Sequence, residues 1–255
     1  MSDNYHVNSI IRAFSILEQF NLSNYELGIT ELKEKTQLPF STLHRLLSTL
    51  QSIGYISQNS ENDKYSLGYK LMVLGNNVRF TNELKTISKP YIVELSEKYN
   101  ETVHLAIEID KLLFCLDKIE VLNRGISVTP NFGKTMNLYA SGVGKTLLAY
   151  SNSDKLEQIL DDIDLVKLAP NTITNKEDLM IELEKIRSIG YAMDDEELEV
   201  GLTCIGAPIF NYSGNCVAAV SISIPNSRLT HTIDIIKDDV ITTAKKISYE
   251  LGYKN

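Results

Sequence analysis

Apolar residues in the first third of the chain recur at helical steps and then give way to two short alternating runs. Ile10, Ala13, Phe14 and Leu17 share one face of a first helix. Thr30 is a candidate N-cap for a second helix, which turns Leu32 inward and ends near Thr36, because Pro39 disfavours helical geometry at Leu38. After a short break Ser41 can cap a third helix, on which Leu43, Leu46, Leu47, Leu50 and Ile53 form one stripe, and Gly54 stops it. Tyr55-Ile56-Ser57 and Lys64-Tyr65-Ser66-Leu67 then flank the polar tip Asn59-Ser60-Glu61-Asn62-Asp63, a hairpin pattern. Three helices and a wing predict a winged helix-turn-helix, whose last helix is built to lie in the DNA major groove. Its polar face carries Ser41, Thr42, Arg45, Ser48 and Thr49, with His44 at the margin, and Lys64 sits on the wing. Hydroxyls and a guanidinium there suit phosphates and base edges. A helical hairpin packed against something else is the competing reading, and the wing argues against it.

Beyond Gly68 the pattern changes twice. Tyr69 to about Phe80 continues as a linker helix with a weak point at Gly75-Asn76-Asn77, and another helix runs from Leu84 to Tyr99 with Ile87, Tyr91, Ile92 and Leu95 inward. Runs dense in β-branched residues follow: 102–109 and 112–118 across an Asp110-Lys111 turn, then 125–129, 202–210 and 216–224, the last two joined by Asn211-Tyr212-Ser213-Gly214-Asn215. Helices are expected from near Ser141, from Thr174 (Thr174-x-x-Glu177 being a capping box) to Ser188, and from about Thr230 to Leu251. Hairpins interspersed with helices, without strict βαβ alternation, predict a mixed α/β (α+β) domain on a largely antiparallel sheet. The expected division is 1–68 for the head, 69–83 for the linker helix and 84–255 for the second domain.

Charge refines this picture. The net charge of −8 is unusual for a DNA binder, but residues 1–80 hold seven basic and seven acidic side chains, so all the excess acid lies beyond the head. A neutral head gains little from counterion release, which makes paired binding necessary. No run approaches the roughly 20 apolar residues that span a bilayer, and no basic-then-apolar leader opens the chain, so a soluble cytoplasmic protein is expected. Cys115, Cys204 and Cys216 lack C-x-x-C spacing and His6, His44, His104 and His231 form no i, i+4 pair, so neither a disulfide framework nor a metal site is expected.

Two segments of the second domain carry candidate chemistry. Gly142-Val143-Gly144-Lys145-Thr146 looks like the end of a P-loop, but Tyr139 stands where its first glycine belongs. What remains is a glycine-rich start to a helix, either a plain turn or a place where free N–H groups hold a small carboxylate. The acidic run Asp194–Glu197 reads by default as a solvated loop, and Cys204 as a small buried hydrophobe.

Leu38-Pro-Phe-Ser-Thr-Leu-His-Arg-Leu-Leu, Leu138-Tyr-Ala-Ser-Gly-Val-Gly-Lys-Thr-Leu-Leu-Ala, and Gly190-Tyr through Gly201-x-x-Cys204-Ile-Gly-Ala-Pro-Ile together resemble the IclR family of bacterial transcriptional regulators over essentially the whole chain. The resemblance implies a GAF-like effector domain that binds a small organic acid, no cofactor, operator DNA as the partner of the head, and a homodimer or a dimer of dimers. By matching position it implies effector contacts from Gly142, Val143, Asp194, Cys204, Ser221 and Ser223. Ser221 and Ser223 are two apart on a strand and so face the same way. The chain departs from the family pattern where Pro-Leu-His is common and Asn137-Leu138-Tyr139 stands here, and where Phe40 replaces a frequent basic residue. The expectation is a ligand-responsive repressor of catabolic or central-carbon genes. The rival is an enzyme using Cys204 as nucleophile, which would need a partnered base; neither His104 nor His231 lies in the motifs.

Overall fold

A computed structural model describes residues 6–21, 24–76, 79–120, 138–229 and 233–254. It divides into two compact units, 1–82 and 83–255. In the first, α1 (Asn8–Leu17), α2 (Ile29–Thr36) and α3 (Phe40–Ser52) are followed by a hairpin of β1 (Ile56–Gln58) and β2 (Tyr65–Leu67), then by α4 (Tyr69–Asn76). Ile16, Leu32, Leu43 and Leu47 are fully buried at the centre of this small core. The wing is braced from behind: Leu27 and Tyr65 exchange backbone hydrogen bonds of 2.9 Å in both directions, and the Glu26 carboxylate accepts from Asn59 and Asn62 at the tip.

Several expected details differ. Gly28, not Thr30, caps α2, because the Glu31 carboxylate reaches back to accept from the Gly28 N–H at 2.7 Å. Pro39, not Ser41, is the N-cap of α3; its fixed φ of −57° leads straight into the helix and releases the Ser41 hydroxyl. On α1 the inward residues are Ile16 and Leu17, while Ile10 and Phe14 are each 56% exposed. Ile53 likewise stays 45% exposed, because α3 ends one residue earlier and Gly54 turns the chain at φ +81°. Residue Asn77 and its neighbour 78 lie outside the described residues; α4 ends at Asn76 and the next helix begins at Arg79, earlier than Leu84.

The second unit is built on a five-stranded antiparallel sheet of order β4-β3-β7-β6-β5. It contains most of α5 (Arg79–Tyr99), then β3 (Thr102–Ile109), β4 (Leu112–Ile119), α6 (Gly142–Ala149), α7 (Ser153–Asp162), α8 (Lys176–Ile189), β5 (Ala192–Asp195), β6 (Leu202–Phe210), β7 (Cys216–Pro225) and α9 (Ile233–Glu250). The α+β class is as expected. Period-two alternation divides the sheet: Val103, Leu105, Ile205, Val220 and Ile222 face α5 and α9, whereas Ala106 and Ala219 face α6, α7 and α8. The β3–β4 turn is made where expected, with Asp110 and Lys111 both at positive φ (52° and 66°), as a two-residue hairpin that follows the strand twist requires.

Helix α7 and strand β5 are additions that the sequence patterns did not supply. The cap of α8 is Asn175, whose Oδ1 accepts from the Asp178 N–H at 2.8 Å, rather than Thr174. The expected strand at 125–129 and the start of the last helix at Thr230, with His231, lie outside the described residues.

Candidate effector pocket and nucleic-acid interface

Pro39 and Gly54 delimit α3 so that its apolar residues enter the core and its polar residues do not. Ser41, His44, Arg45, Ser48 and Thr49 are exposed and Thr42 half-buried, side by side on the outer surface. Arg45 forms no ion pair among the described residues, which leaves its guanidinium free for an anion, while the Thr49 hydroxyl is spent on the Arg45 carbonyl at 2.8 Å. Lys64 stands on the wing, 4.0 Å from Glu31. At the end of α3 the Lys70 ammonium donates to the Ile53 carbonyl at 3.1 Å and lies over the Tyr55 ring. A cation there satisfies the helix C-terminus and its dipole.

In the second unit a single cavity, about 550 Å³ including the part open to solvent, brings together Gly142, Val143, Asp194, Cys204, Ser221 and Ser223. These six come from α6 and three different strands. Their convergence follows from packing at glycine: a Cβ on Gly206 would lie 2.6 Å from the Gly142 carbonyl oxygen, so only glycine lets the first turn of α6 rest on β6. Ser141 caps that turn, its hydroxyl accepting from the Gly144 N–H at 3.1 Å and its carbonyl from the Lys145 N–H at 2.9 Å. The N–H groups of Gly142 and Val143 come before these and have no partner among the described residues. They point to the positive end of a helix beside the cavity.

The acidic run is only partly solvated: Asp195 is exposed and Glu196 half-buried, but the other two acids are not. Asp194 ends up 1% exposed on β5, paired with Cys204 on β6, and Glu197 is 7% exposed. Oδ1 of Asp194 accepts from the N–H groups of Glu197 and Leu198 at 2.9 and 3.3 Å, and Oδ2 has no partner. Burial outweighs those bonds and pushes the carboxyl up to about 6. Lys145, the lysine of the apparent P-loop remnant, is fully buried and turned away from any phosphate position. Its ammonium pairs with Glu197 and donates to the Met193 carbonyl at 2.7 Å, tying α6 to the acidic turn. Glu197 is nevertheless raised to about 7 by burial, with Lys145 pulling the other way. Tyr139 does not line the cavity; its hydroxyl donates to the Val166 carbonyl at 2.8 Å and accepts from the Val166 N–H at 3.0 Å.

His104, which the motifs left aside, also lines the cavity. It sits on β3 in register with Ser221, on the same side of the sheet as Ala106. Burial pushes it down to about 3, with the Lys118 charge adding to the push, so the imidazole is neutral. A sequence pattern held one clue: a histidine among β-branched residues, at the even positions of β3 that alternate away from Val103 and Leu105. Its Nδ1 lies 3.4 Å from the Ser223 hydroxyl, which is 3.2 Å from the Cys204 sulfur. The histidine therefore does not partner the thiol directly. Cys204 is fully enclosed, and burial raises its thiol well above the ordinary value, the opposite of what a thiolate nucleophile needs. Such surroundings do not activate the sulfur.

Two family models match the chain: the IclR helix-turn-helix domain over residues 9–60 and the bacterial transcriptional regulator IclR C-terminal domain over residues 79–249. The HTH-type transcriptional regulator KdgR of Escherichia coli is 34% identical over 251 residues, 97% of this chain and 94% of that one. The HTH-type transcriptional repressor AllR of Escherichia coli is 30% identical, covering 95% and 90% of the two chains. Among solved structures, an IclR homologue of Microbacterium hydrocarbonoxydans complexed with 4-hydroxybenzoate shares the fold at a TM-score of 0.82, with 22% identity over 95% of this chain and 98% of that one. No helix among the described residues is long and apolar enough to cross a membrane. A winged head, an antiparallel effector-type unit and two matching domain models over nearly the whole length identify the chain as a member of the IclR family of bacterial transcriptional regulators.

Proposed function

We propose that this regulator binds its operator as a homodimer through α3 and the wing, and that it is released by a small organic acid held in the pocket of its second unit. The observation that carries the effector assignment is the meeting of two uncommitted helix N–H groups, at Gly142 and Val143, with the unpartnered Oδ2 of Asp194 and the hydroxyls of Ser221 and Ser223 in one cavity. Donors at one end suit a carboxylate, and acceptors and hydroxyls beyond it suit an oxo or hydroxy group. The complex of the Microbacterium relative with 4-hydroxybenzoate and the repressor AllR favour the same reading, an acid-sensing repressor rather than an enzyme.

Dimerisation is supported by an apolar surface that a lone head leaves in water. Val7, Ile10, Ile11 and Phe14 on or beside α1 are each more than half exposed, and contiguous exposed apolar groups mark association sites. With a head of zero net charge, two copies of α3 entering major grooves about one helical turn apart give the affinity that one lacks. Arg45 supplies a base or phosphate contact, Ser41, Thr42 and His44 flank it, and Lys64 meets the backbone from the wing.

The test is a duplex selected from a random library by the full-length protein. Arg45→Ala should lose that duplex while a stabilising acid still raises the melting temperature of the second unit; a wild-type footprint from Arg45→Ala at equal concentration refutes the interface. Ser221→Ala and Asp194→Ala should keep the duplex but blunt its release by acid, and unchanged release in both refutes the pocket.

A further inference from the structure

Asp194 lines the cavity with one carboxylate oxygen, Oδ2, that has no partner. It is also a neighbour of the helix end. Asp194 pairs with Cys204 across β5 and β6, and a Cβ on Gly142 would lie 3.3 Å from the Cys204 carbonyl oxygen, so Gly142 and Asp194 flank the same residue. The charged groups around it come from every side. Lys145 of α6 is the cation that acts on Asp194, but its ammonium pairs with Glu197 and lies 3.9 Å from Glu182 of α8. Glu199, beyond the acidic turn, lines the cavity as a further acid. His104 on β3 is neutral, and burial keeps the thiols of Cys115 on β4 and Cys204 on β6 protonated. Lys118, the cation beside His104, pairs with Glu120 at 3.0 Å. Among the described residues, the acids around Asp194 outnumber the bases.

An effector carboxylate brings one more negative charge into this space. A round cavity of about 550 Å³ is about 10 Å across, and like charges that far apart at an effective dielectric of about 20 still change a proton affinity by about tenfold. Two carboxylates enclosed together do not both stay ionised, and one of them takes a proton. Their surroundings decide which. N–H groups at a helix start favour the ionised form of the effector carboxylate, whereas burial already holds Asp194 near 6 before a ligand arrives. Glu197, raised to about 7, does not line the cavity. A proton on Oδ2 also turns the partnerless oxygen into an O–H donor, and a carboxylate is the acceptor that such a donor needs.

We infer, resting on the effector reading of this pocket, that a proton is the second ligand of the site: the acid binds together with one proton from solvent, which is held on Oδ2 of Asp194 and donated in a hydrogen bond to the effector carboxylate. No bond to carbon forms or breaks. A given concentration of acid then releases the operator more fully as pH falls, so the regulator reads the acid and the acidity together.

Calorimetric titration of the full-length protein with 4-hydroxybenzoate and with lactate, both ionised above pH 6, tests this. At pH 7 the observed heats in PIPES and in imidazole, two buffers of different ionisation enthalpy, should show an uptake of about half a proton to one per acid bound, and affinity should fall about five- to twentyfold from pH 6 to pH 8. The neutral amides 4-hydroxybenzamide and lactamide should bind, where they bind, without uptake. Asp194→Ala should bind the acids more weakly and with no uptake, which a merely structural loss would not produce, while Glu197→Gln should keep the uptake. Acid binding without proton uptake in the wild type overturns the inference and leaves the pocket standing; uptake that survives in Asp194→Ala and is lost in Glu197→Gln overturns the assignment to Asp194. Failure of both acids to bind at pH 6 overturns the effector reading and the inference together. The wild-type uptake needs no variant, so a poorly folded Asp194→Ala protein does not shield the claim.

Discussion

Replacing Asp194 by asparagine should stabilise the protein at neutral pH, although it removes a native hydrogen-bonded carboxylate. The side chain is 1% exposed, and one of its oxygens has no partner. Burial holds the carboxyl near 6, against an ordinary value of 3.8. A group that keeps its proton more tightly when folded contributes its stability below the unfolded value and loses it as pH rises through the folded one. Here the loss begins near pH 3.8, is complete a little above pH 6, and amounts to about 3 kcal/mol at neutral pH. Asparagine has the same shape and keeps an oxygen for the Glu197 and Leu198 N–H groups, but it carries no charge to desolvate. Urea unfolding of wild type and Asp194→Asn, followed by the transition of the second unit, should show the variant ahead by about 3 kcal/mol near pH 7.5, with the gap closing toward pH 4. A gap that does not change with pH, or a variant less stable than wild type at neutral pH, would refute the reasoning. The same variant should respond more weakly to acid, since a carboxylate kept at a cost inside a cavity is a mark of a binding site.

Further predictions concern the supports of the pocket. Lys145→Met leaves Glu197 buried without its cation and should cost about 3–5 kcal/mol in chemical denaturation; the double variant with Glu197→Gln should recover most of it, and an equal loss in both would show that the pair contributes nothing specific. Gly206→Ala forces a methyl to within 2.6 Å of the Gly142 carbonyl oxygen, so it should cost about 1–3 kcal/mol by overpacking and should weaken acid binding by displacing α6. Unaltered calorimetric affinity in a destabilised Gly206→Ala protein would separate the helix N-terminus from ligand binding.

Much of the architecture was legible because it is local. The stripe of Leu43, Leu47 and Leu50, the Pro39 and Gly54 boundaries and the polar wing tip each depend on residues a few places apart, and all reappear in the head. The β3–β4 and β6–β7 hairpins were legible for the same reason, each from alternation about a turn that needs positive φ. Capping was less so: Gly28 and Pro39 take the cap positions expected for Thr30 and Ser41, the first with its N–H held by the Glu31 carboxylate and the second with no side-chain cap at all. The six pocket residues came from resemblance, not periodicity. Periodicity and spacing by themselves did not bring them to one cavity.

Periodicity and turn chemistry alone determined a three-helix head with a wing and an antiparallel α+β body, because helices and hairpins are specified by neighbours along the chain. Tertiary structure decided the states of the charged and polar groups. Whether Asp194 is solvated or buried depends on β5 joining the sheet edge beside Cys204, and whether Lys145 faces a phosphate or Glu197 depends on α6 resting on Gly206. His104 acquires its place in the pocket only from the strand order that sets β3 two positions from β6. Desolvation and hydrogen bonding are set by whatever packs nearby in space, and in this fold neighbours such as His104 and Ser223 are 119 residues apart along the chain.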